Sequence, residues 1–181
     1  CFLVGQYFAK LLKGRNALDI ASCIRAMDEM IYANTSIKSA FDMALYDLAA
    51  QHAGVPLYRF LGGNNNKTII TDYTVSIGEP AKMAADAVKI KAQGYPAIKV
   101  KLGKDGQKDV ERMKAIRAAV GNGIPLRIDA NQGWQVEEAI QTLQALAPLD
   151  IQHCEEPIAR WNYLQLPRVK AESPIPIMAD E

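Results

Sequence analysis

Lysine and carboxylate side chains recur where short alternating segments end. Lys99 and Lys101 alternate with apolar residues, so in a β-strand both lysines point to the same face. Burying two like charges side by side is unfavourable unless they serve a purpose. Proton transfer is such a purpose. We expect Lys101, nearer the strand end, to be the general base, and Lys99 to disfavour a proton on it. The alternative, lysines on an exposed edge strand, fits poorly in a strand that helices should cover.

Carboxylates occupy matching positions at the ends of the three strands that follow, at Asp129, Glu155 and Asp180. Neighbouring strands lie about 4.8 Å apart, so three such carboxylates can converge on one hard cation. Magnesium prefers oxygen ligands and keeps positions for water or substrate. A single acid after a strand is more often a helix cap, but three at one level favour a magnesium site.

Three neighbours of these acids are expected to play supporting roles. Asn131 shares a strand face with Asp129 and is expected to brace a ligand. Arg127 lies on the same face, where a pair with an acidic ligand and a purely structural ion pair are equally open. Glu156 should point away from Glu155 and act behind the ligands.

Strands and helices alternate after residue 68 with a period of about 25 to 30 residues, the size of one βα unit. The expected strands are Ile69–Ile77, Ala97–Leu102, Leu126–Asn131, Ile151–Glu155 and Ile175–Asp180. The expected helices are Pro80–Gln93, Lys108–Val120, Val136–Leu146 and Tyr163–Ala171. Such a series forms a doubly wound sheet or an eight-stranded barrel. Polar residues at the carboxyl ends of the strands, and no glycine-rich phosphate turn after the first, favour a partial TIM-type (β/α) barrel.

The first sixty residues are expected to be helical. Asn16 or Asp19 is available to cap one helix, and Asn34 or Thr35 to cap the next. The turn-rich segment 61–66 marks a domain boundary. We therefore expect residues 1–63 to be the helical part of an α+β capping domain with its linker. Residues 64–181 would form the first half of the barrel, so that the chain is a fragment of a longer protein.

Composition excludes several classes of partner. The 181 residues carry 21 Lys and Arg against 20 Asp and Glu, without a basic patch for nucleic acid or for an anionic membrane. No apolar run is long enough to span a bilayer, and no leader is visible. Three cysteines without metal or redox spacing suit reduced thiols in the cytoplasm. A homo-oligomer is left open.

Four segments together resemble the enolase superfamily, and within it the muconate-lactonizing-enzyme subgroup. They are Lys99–Lys101, Asp129–Trp134, Glu155–Pro157 and Met178–Glu181. The likeness runs from about residue 34 and is closest to dipeptide epimerases of the L-Ala-D/L-Glu type, which Thr71–Ile77 and Asp42–Leu48 also resemble.

The resemblance implies an isomerase that uses Mg²⁺ to epimerise a dipeptide substrate. The implied metal ligands are Asp129, Glu155 and Asp180. It makes Lys101 the base on one face of the substrate α-carbon, Lys99 its helper, and Thr74 a substrate contact. In the family a second lysine, on the opposite face of the substrate α-carbon, completes a 1,1-proton transfer through an enediolate. We expect the counterpart of that lysine to lie outside this chain.

Two alternatives stay open beside this interpretation. The same metal and lysines serve o-succinylbenzoate synthases and N-acylamino-acid racemases. A non-catalytic, truncated metal-binding domain is the alternative from a different class.

Glu156 departs from the family pattern, which often has Gln there, and adds an acidic charge beside a ligand.

Overall fold

The computed structural model describes residues 1–180, and Glu181, which ends the last motif, lies outside them. The chain divides into two compact units, Cys1–Thr68 and the segment from Ile69 onward. Across residues 1–180, none of the helices has the length and apolar character needed to cross a membrane.

The first unit is helical, as its sequence predicts. Its helices are α1 (Phe2–Leu12), α2 (Ile20–Met30), α3 (Thr35–His52) and α4 (Leu57–Phe60). Asp19 caps α2, because its carboxylate accepts a hydrogen bond from the Ser22 N–H at 3.2 Å. Asn34 occupies the N-cap position of α3 in a left-handed conformation, but no side-chain capping hydrogen bond accompanies it.

A small apolar core holds these helices together. Phe8 is fully buried and meets Phe41 edge to face, with ring centroids 5.7 Å apart. The other buried residues of this unit are Cys23, Ala26, Met27, Leu45, Ala49 and Ala50.

The second unit alternates strands and helices. Its strands are β1 (Tyr73–Val75), β2 (Ile98–Lys101), β3 (Leu126–Asp129), β4 (Ile151–Glu155) and β5 (Ile177–Met178). Its helices are α5 (Pro80–Ala92), α6 (Gly106–Val120), α7 (Val136–Leu146) and α8 (Leu166–Glu172), with 3₁₀ turns at Ala147–Leu149 and Arg160–Gln165. The five strands pair in parallel in the order β1-β2-β3-β4-β5.

This strand order separates the two architectures that the sequence allowed. A doubly wound sheet reverses its strand order at a switch point, whereas these five strands follow one another without reversal. Consecutive parallel strands, each connected to the next through a helix, are the arrangement of a (β/α) barrel.

The two faces of the sheet differ in polarity. Ile98, Val100, Leu126 and Ile128 are fully buried in a core that they share with residues of α5, α6 and α7. Side chains alternate along a strand, so the residues between them lie on the opposite face, where the polar groups gather.

The edge elements are shorter than predicted. The first strand starts at Tyr73 rather than Ile69, and Ile69 is exposed. The last strand contains only Ile177 and Met178. The final helix begins at Leu166, because Tyr163 belongs to a 3₁₀ turn in which Asn162 has non-helical angles.

Candidate active site

Strand register places the predicted residues at one level of the sheet. Lys101 on β2 lies opposite Asp129 on β3, and Asp129 lies opposite Glu155 on β4. All three close their strands at the carboxyl end, the edge at which barrel enzymes build their active sites.

Both lysines contact the same carboxylate oxygen. The Nζ atoms of Lys99 and Lys101 lie 2.8 and 2.6 Å from Oδ2 of Asp129. Lys99 also reaches across β3 to Oε2 of Glu155 at 2.6 Å. Asp129 is fully buried and Glu155 is 5% exposed, so two ammonium groups and two buried carboxylates balance each other.

Left-handed backbone follows the strands at this edge. Asn131, Gln132 and Glu156 have φ angles of 43°, 65° and 39°. Such angles are uncommon for residues other than glycine, and they concentrate at functional sites. The turn directs Oδ1 of Asn131 to Nζ of Lys101 at 2.7 Å, while the Asn131 N–H donates to Asp129 Oδ1 at 2.9 Å. Asn131 therefore braces both a predicted ligand and the predicted base.

The ionisable groups respond to this clustering in different directions. Burial disfavours the Lys99 ammonium, but hydrogen bonds and charges from Asp129 and Glu155 outweigh burial and raise its pKa. Burial also disfavours the Asp129 carboxylate, yet hydrogen bonds from Lys101 and Lys99 outweigh it and lower the pKa of Asp129. The pKa of Glu155 is raised, chiefly by burial and also by the neighbouring Asp129, against the opposing effect of Lys99.

Asp180 follows β5, at the strand end next to that of Glu155. Its backbone N–H donates to Oε1 of the buried Glu156 at 2.5 Å, so Glu156 holds the backbone after β5, behind the predicted ligands. Within residues 1–180, no three Asp, Glu, His or Cys side chains form a metal-binding group. The set of three magnesium ligands thus stays a prediction.

Arg127 pairs with a residue that the sequence did not suggest. Its Nη1 lies 2.9 Å from Oδ2 of Asp72, and its Nε donates to Gln152 at 2.9 Å. Both partners lie outside the predicted ligand set, so the structural ion pair is the interpretation that holds. Thr74 lies opposite Lys99 in register and is exposed, and its substrate contact stays a prediction.

Two buried charged residues next to this edge belong to no sequence motif. Asp109 and Arg112 lie on α6, in the same apolar stripe as Met113 and Ile116. Charged residues at i and i+3 within an apolar stripe are the one signal that would have revealed them.

Comparison with known proteins now defines the family. Residues 82–181 match the model for the enolase C-terminal domain-like family, and residues 3–62 match the N-terminal domain of mandelate racemase / muconate lactonizing enzyme. The chain therefore belongs to the enolase superfamily.

Its relatives include named epimerases. The chain is 62% identical to a D-Ala-D/L-Ala epimerase of Cytophaga hutchinsonii, over 99% of this chain and 49% of that protein. It is 42% identical to an L-Ala-D/L-Glu epimerase of Clostridium acetobutylicum, over 98% of this chain and 50% of that one.

A solved structure agrees with these relationships. The dipeptide epimerase of Cytophaga hutchinsonii, crystallised with Mg and the dipeptide D-Ala-L-Val, matches with a TM-score of 0.95 and 61% identity, over 99% of this chain and 49% of that one. The chain thus spans about half the length of the curated relatives it matches.

Proposed function

We propose that the protein is a magnesium-dependent dipeptide epimerase that exchanges the hydrogen α to a carboxylate. The named relatives support an epimerase, and the polar edge of the sheet supplies groups suited to proton transfer. The two relatives above are named for different dipeptides, so they support the reaction class more strongly than any one substrate.

The observation that carries this proposal is the pair of lysines on one buried carboxylate. Lys99, which contacts both Asp129 and Glu155, is suited to remain a cation. Lys101 contacts Asp129 and Asn131 and is more exposed than Lys99. Lys101 in its neutral form would accept the α-hydrogen as a proton. Asn131 would hold the amine in position.

The donor set fits magnesium. Asp129 and Glu155 offer hard carboxylate oxygens at neighbouring strand ends, and such oxygens are the ligands that magnesium prefers. We propose Asp129, Glu155 and Asp180 as the ligands, with Glu156 fixing the backbone of Asp180. Bound there, magnesium would supply positive charge that stabilises the extra negative charge on the substrate carboxylate after the α-hydrogen is removed as a proton.

Free thiols support a cytoplasmic location. Cys1, Cys23 and Cys154 are all unpaired in the structure. Free thiols persist in reducing compartments, whereas oxidising compartments favour disulfides. We propose the cytoplasm on this ground.

The test follows the substrate α-hydrogen in deuterium oxide. The full-length gene product, supplied with Mg²⁺, is incubated with a panel of alanine-containing dipeptides, and ¹H NMR follows loss of the α-hydrogen signal. Lys101→Ala should slow exchange on one stereoisomer by about 10²- to 10⁴-fold. Lys101→Arg should not restore it, because arginine stays protonated. Lys104→Ala, an exposed lysine on the following loop, is the matched control and should exchange at the wild-type rate.

Three further outcomes test the reaction class, the assigned base and the assigned metal ligands in turn. Exchange confined to N-acylated amino acids would identify a racemase instead, a class represented by an N-succinyl-L-Arg/Lys racemase of Bacillus cereus at 31% identity. Normal exchange by Lys101→Ala would refute the assigned base. Calorimetry should show weaker Mg²⁺ binding by Asp129→Asn, and unchanged binding would refute the metal assignment.

A further inference from the structure

A buried ion pair on α6 connects the loops that follow three successive strands. Asp109 is completely buried. Its Oδ2 accepts hydrogen bonds from the backbone N–H of Gly103 and the indole N–H of Trp134, both at 2.9 Å. Gly103 lies in the loop after β2, and Trp134 lies in the loop after β3. One carboxylate oxygen therefore joins these two loops.

Arg112 extends the connection to a third loop. Its Nη1 donates to Oδ1 of Asp109 at 2.7 Å, and its Nε donates to the carbonyl oxygen of Gly78 at 2.8 Å. Gly78 lies in the loop after β1. The Asp109–Arg112 pair thus makes hydrogen bonds to the loops after β1, β2 and β3.

These loops carry the residues to which the chemistry is assigned. Gly103 comes two residues after Lys101, and its backbone packs directly against the carbonyl of Ala130, the residue after Asp129. Gly133, just before Trp134, packs in turn against the carbonyl of Gly103. A shift of the Gly103 backbone would therefore be transmitted to both Lys101 and Asp129.

Stability alone does not account for a buried pair of this kind. Apolar residues of similar volume often stabilise a protein as well as a buried ion pair does, whereas removing one partner leaves a buried charge. The pair instead fixes the positions of the loops, because each of its hydrogen bonds holds a loop in one orientation.

We propose that Asp109 and Arg112 are positioning residues that set the distance between the base Lys101 and the ligand Asp129. This inference rests on the proposed function, because it assigns the pair a role in that reaction. Neither residue is expected to touch substrate or metal.

The same helix supplies a matched control. Arg117 is also a buried arginine of α6, and its hydrogen bonds go to backbone carbonyls. Its partners are Gly121, Ile124, Leu149 and Asp150, which precede β3 and β4. It therefore tests what loss of a buried arginine does at the opposite edge of the sheet.

The variants are Asp109→Asn, Arg112→Lys and Arg117→Lys in the full-length gene product. Asparagine keeps the shape of Asp109, but its amide must face either Arg112 or the Gly103 and Trp134 donors, so one side is lost. Lysine lacks the fork that reaches two partners. A misplacement of about 1 Å can lower the rate about 10²-fold, so we expect losses in kcat of that order for the first two variants, with KM nearly unchanged.

Arg117→Lys should be destabilised in a thermal melt yet keep the wild-type kcat at temperatures where it is folded. Hydrogen–deuterium exchange should rise around residues 101–104 and 130–134 in Asp109→Asn and Arg112→Lys, but not in Arg117→Lys. If Asp109→Asn does not fold, Arg112→Lys decides.

Equal losses of kcat in Arg112→Lys and Arg117→Lys would overturn the positioning role and leave the epimerase proposal standing. A wild-type protein without α-hydrogen exchange on any dipeptide would overturn both. Losses confined to Asp109→Asn and Arg112→Lys, with unchanged KM and locally faster exchange, would support the positioning role.

Discussion

Replacement of Gly103 by alanine tests the close approach of the loops after β2 and β3. Gly103 has a φ of +96°, and a Cβ added there would overlap the carbonyl oxygen of Ala130. That oxygen belongs to backbone that is held on both sides, since the Ala130 N–H donates to the backbone carbonyl of Glu155 and the Leu102 N–H donates to the backbone carbonyl of Asp129. The overlap therefore cannot be relieved by rotating a side chain.

Two contributions set the expected magnitude. A left-handed conformation destabilises an alanine by about 1–2 kcal/mol relative to glycine, and overpacking adds about 1–3 kcal/mol. We expect Gly103→Ala to lower the free energy of unfolding by about 3 kcal/mol. Gly94→Ala is the matched control, because Gly94 has a φ of +85° and a Cβ added there would meet no described atom within 4 Å. It should show only the first contribution, about 1 kcal/mol.

Urea denaturation of the full-length gene product measures both values. The slope of the free energy against urea should be the same for the two variants, so that the midpoints report stability directly. The difference between them, about 2 kcal/mol, measures the steric overlap alone. Equal destabilisation by Gly103→Ala and Gly94→Ala would refute the close approach of the two loops.

Two further predictions concern the helical unit and the thiols. Asp19→Ala removes the acceptor that caps α2 and should lower the free energy of unfolding by about 1 kcal/mol, whereas Asp19→Asn keeps an acceptor and should cost much less; equal losses in urea denaturation would contradict the cap. In the folded protein at pH 8, iodoacetamide should label the exposed Cys1 but neither Cys23 nor Cys154, because both are buried and burial raises the pKa of Cys154. Mass spectrometry reads the labelling, and denaturation should abolish the difference; native labelling of Cys154 at the rate of Cys1 would contradict its burial.

The sequence predicted the central strands well because both of their faces carry a signal. In β2, buried apolar residues alternate with lysines, and this period of two belongs only to a strand. The outer strands were predicted too long because apolar content does not show how many residues pair with the neighbouring strand. The pairing of β1 with β2 covers Tyr73–Val75, which leaves Ile69 outside the paired residues and exposed.

Pairing between distant side chains was harder to predict than their placement. Strand-end position was enough to bring Lys101, Asp129 and Glu155 to one level. The choice of partner for Arg127 was not, because Asp72 lies 55 residues away and just before β1. Such a pair depends on three-dimensional register, which no local pattern contains.

The two ends of α6 show why one helix can serve two purposes. In a βα unit the helix runs back against its strand, so its first turn lies at the edge where the strands end and its last turn lies at the opposite edge. Asp109 and Arg112 near the start bind loops after β1, β2 and β3, whereas Arg117 near the end binds carbonyls before β3 and β4. Both ends make buried hydrogen bonds, and the first end includes the bond from Gly103, in the loop after Lys101, to Asp109. For this reason we expect a loss of kcat from substitutions at the first end of α6 and none from Arg117→Lys at the other end.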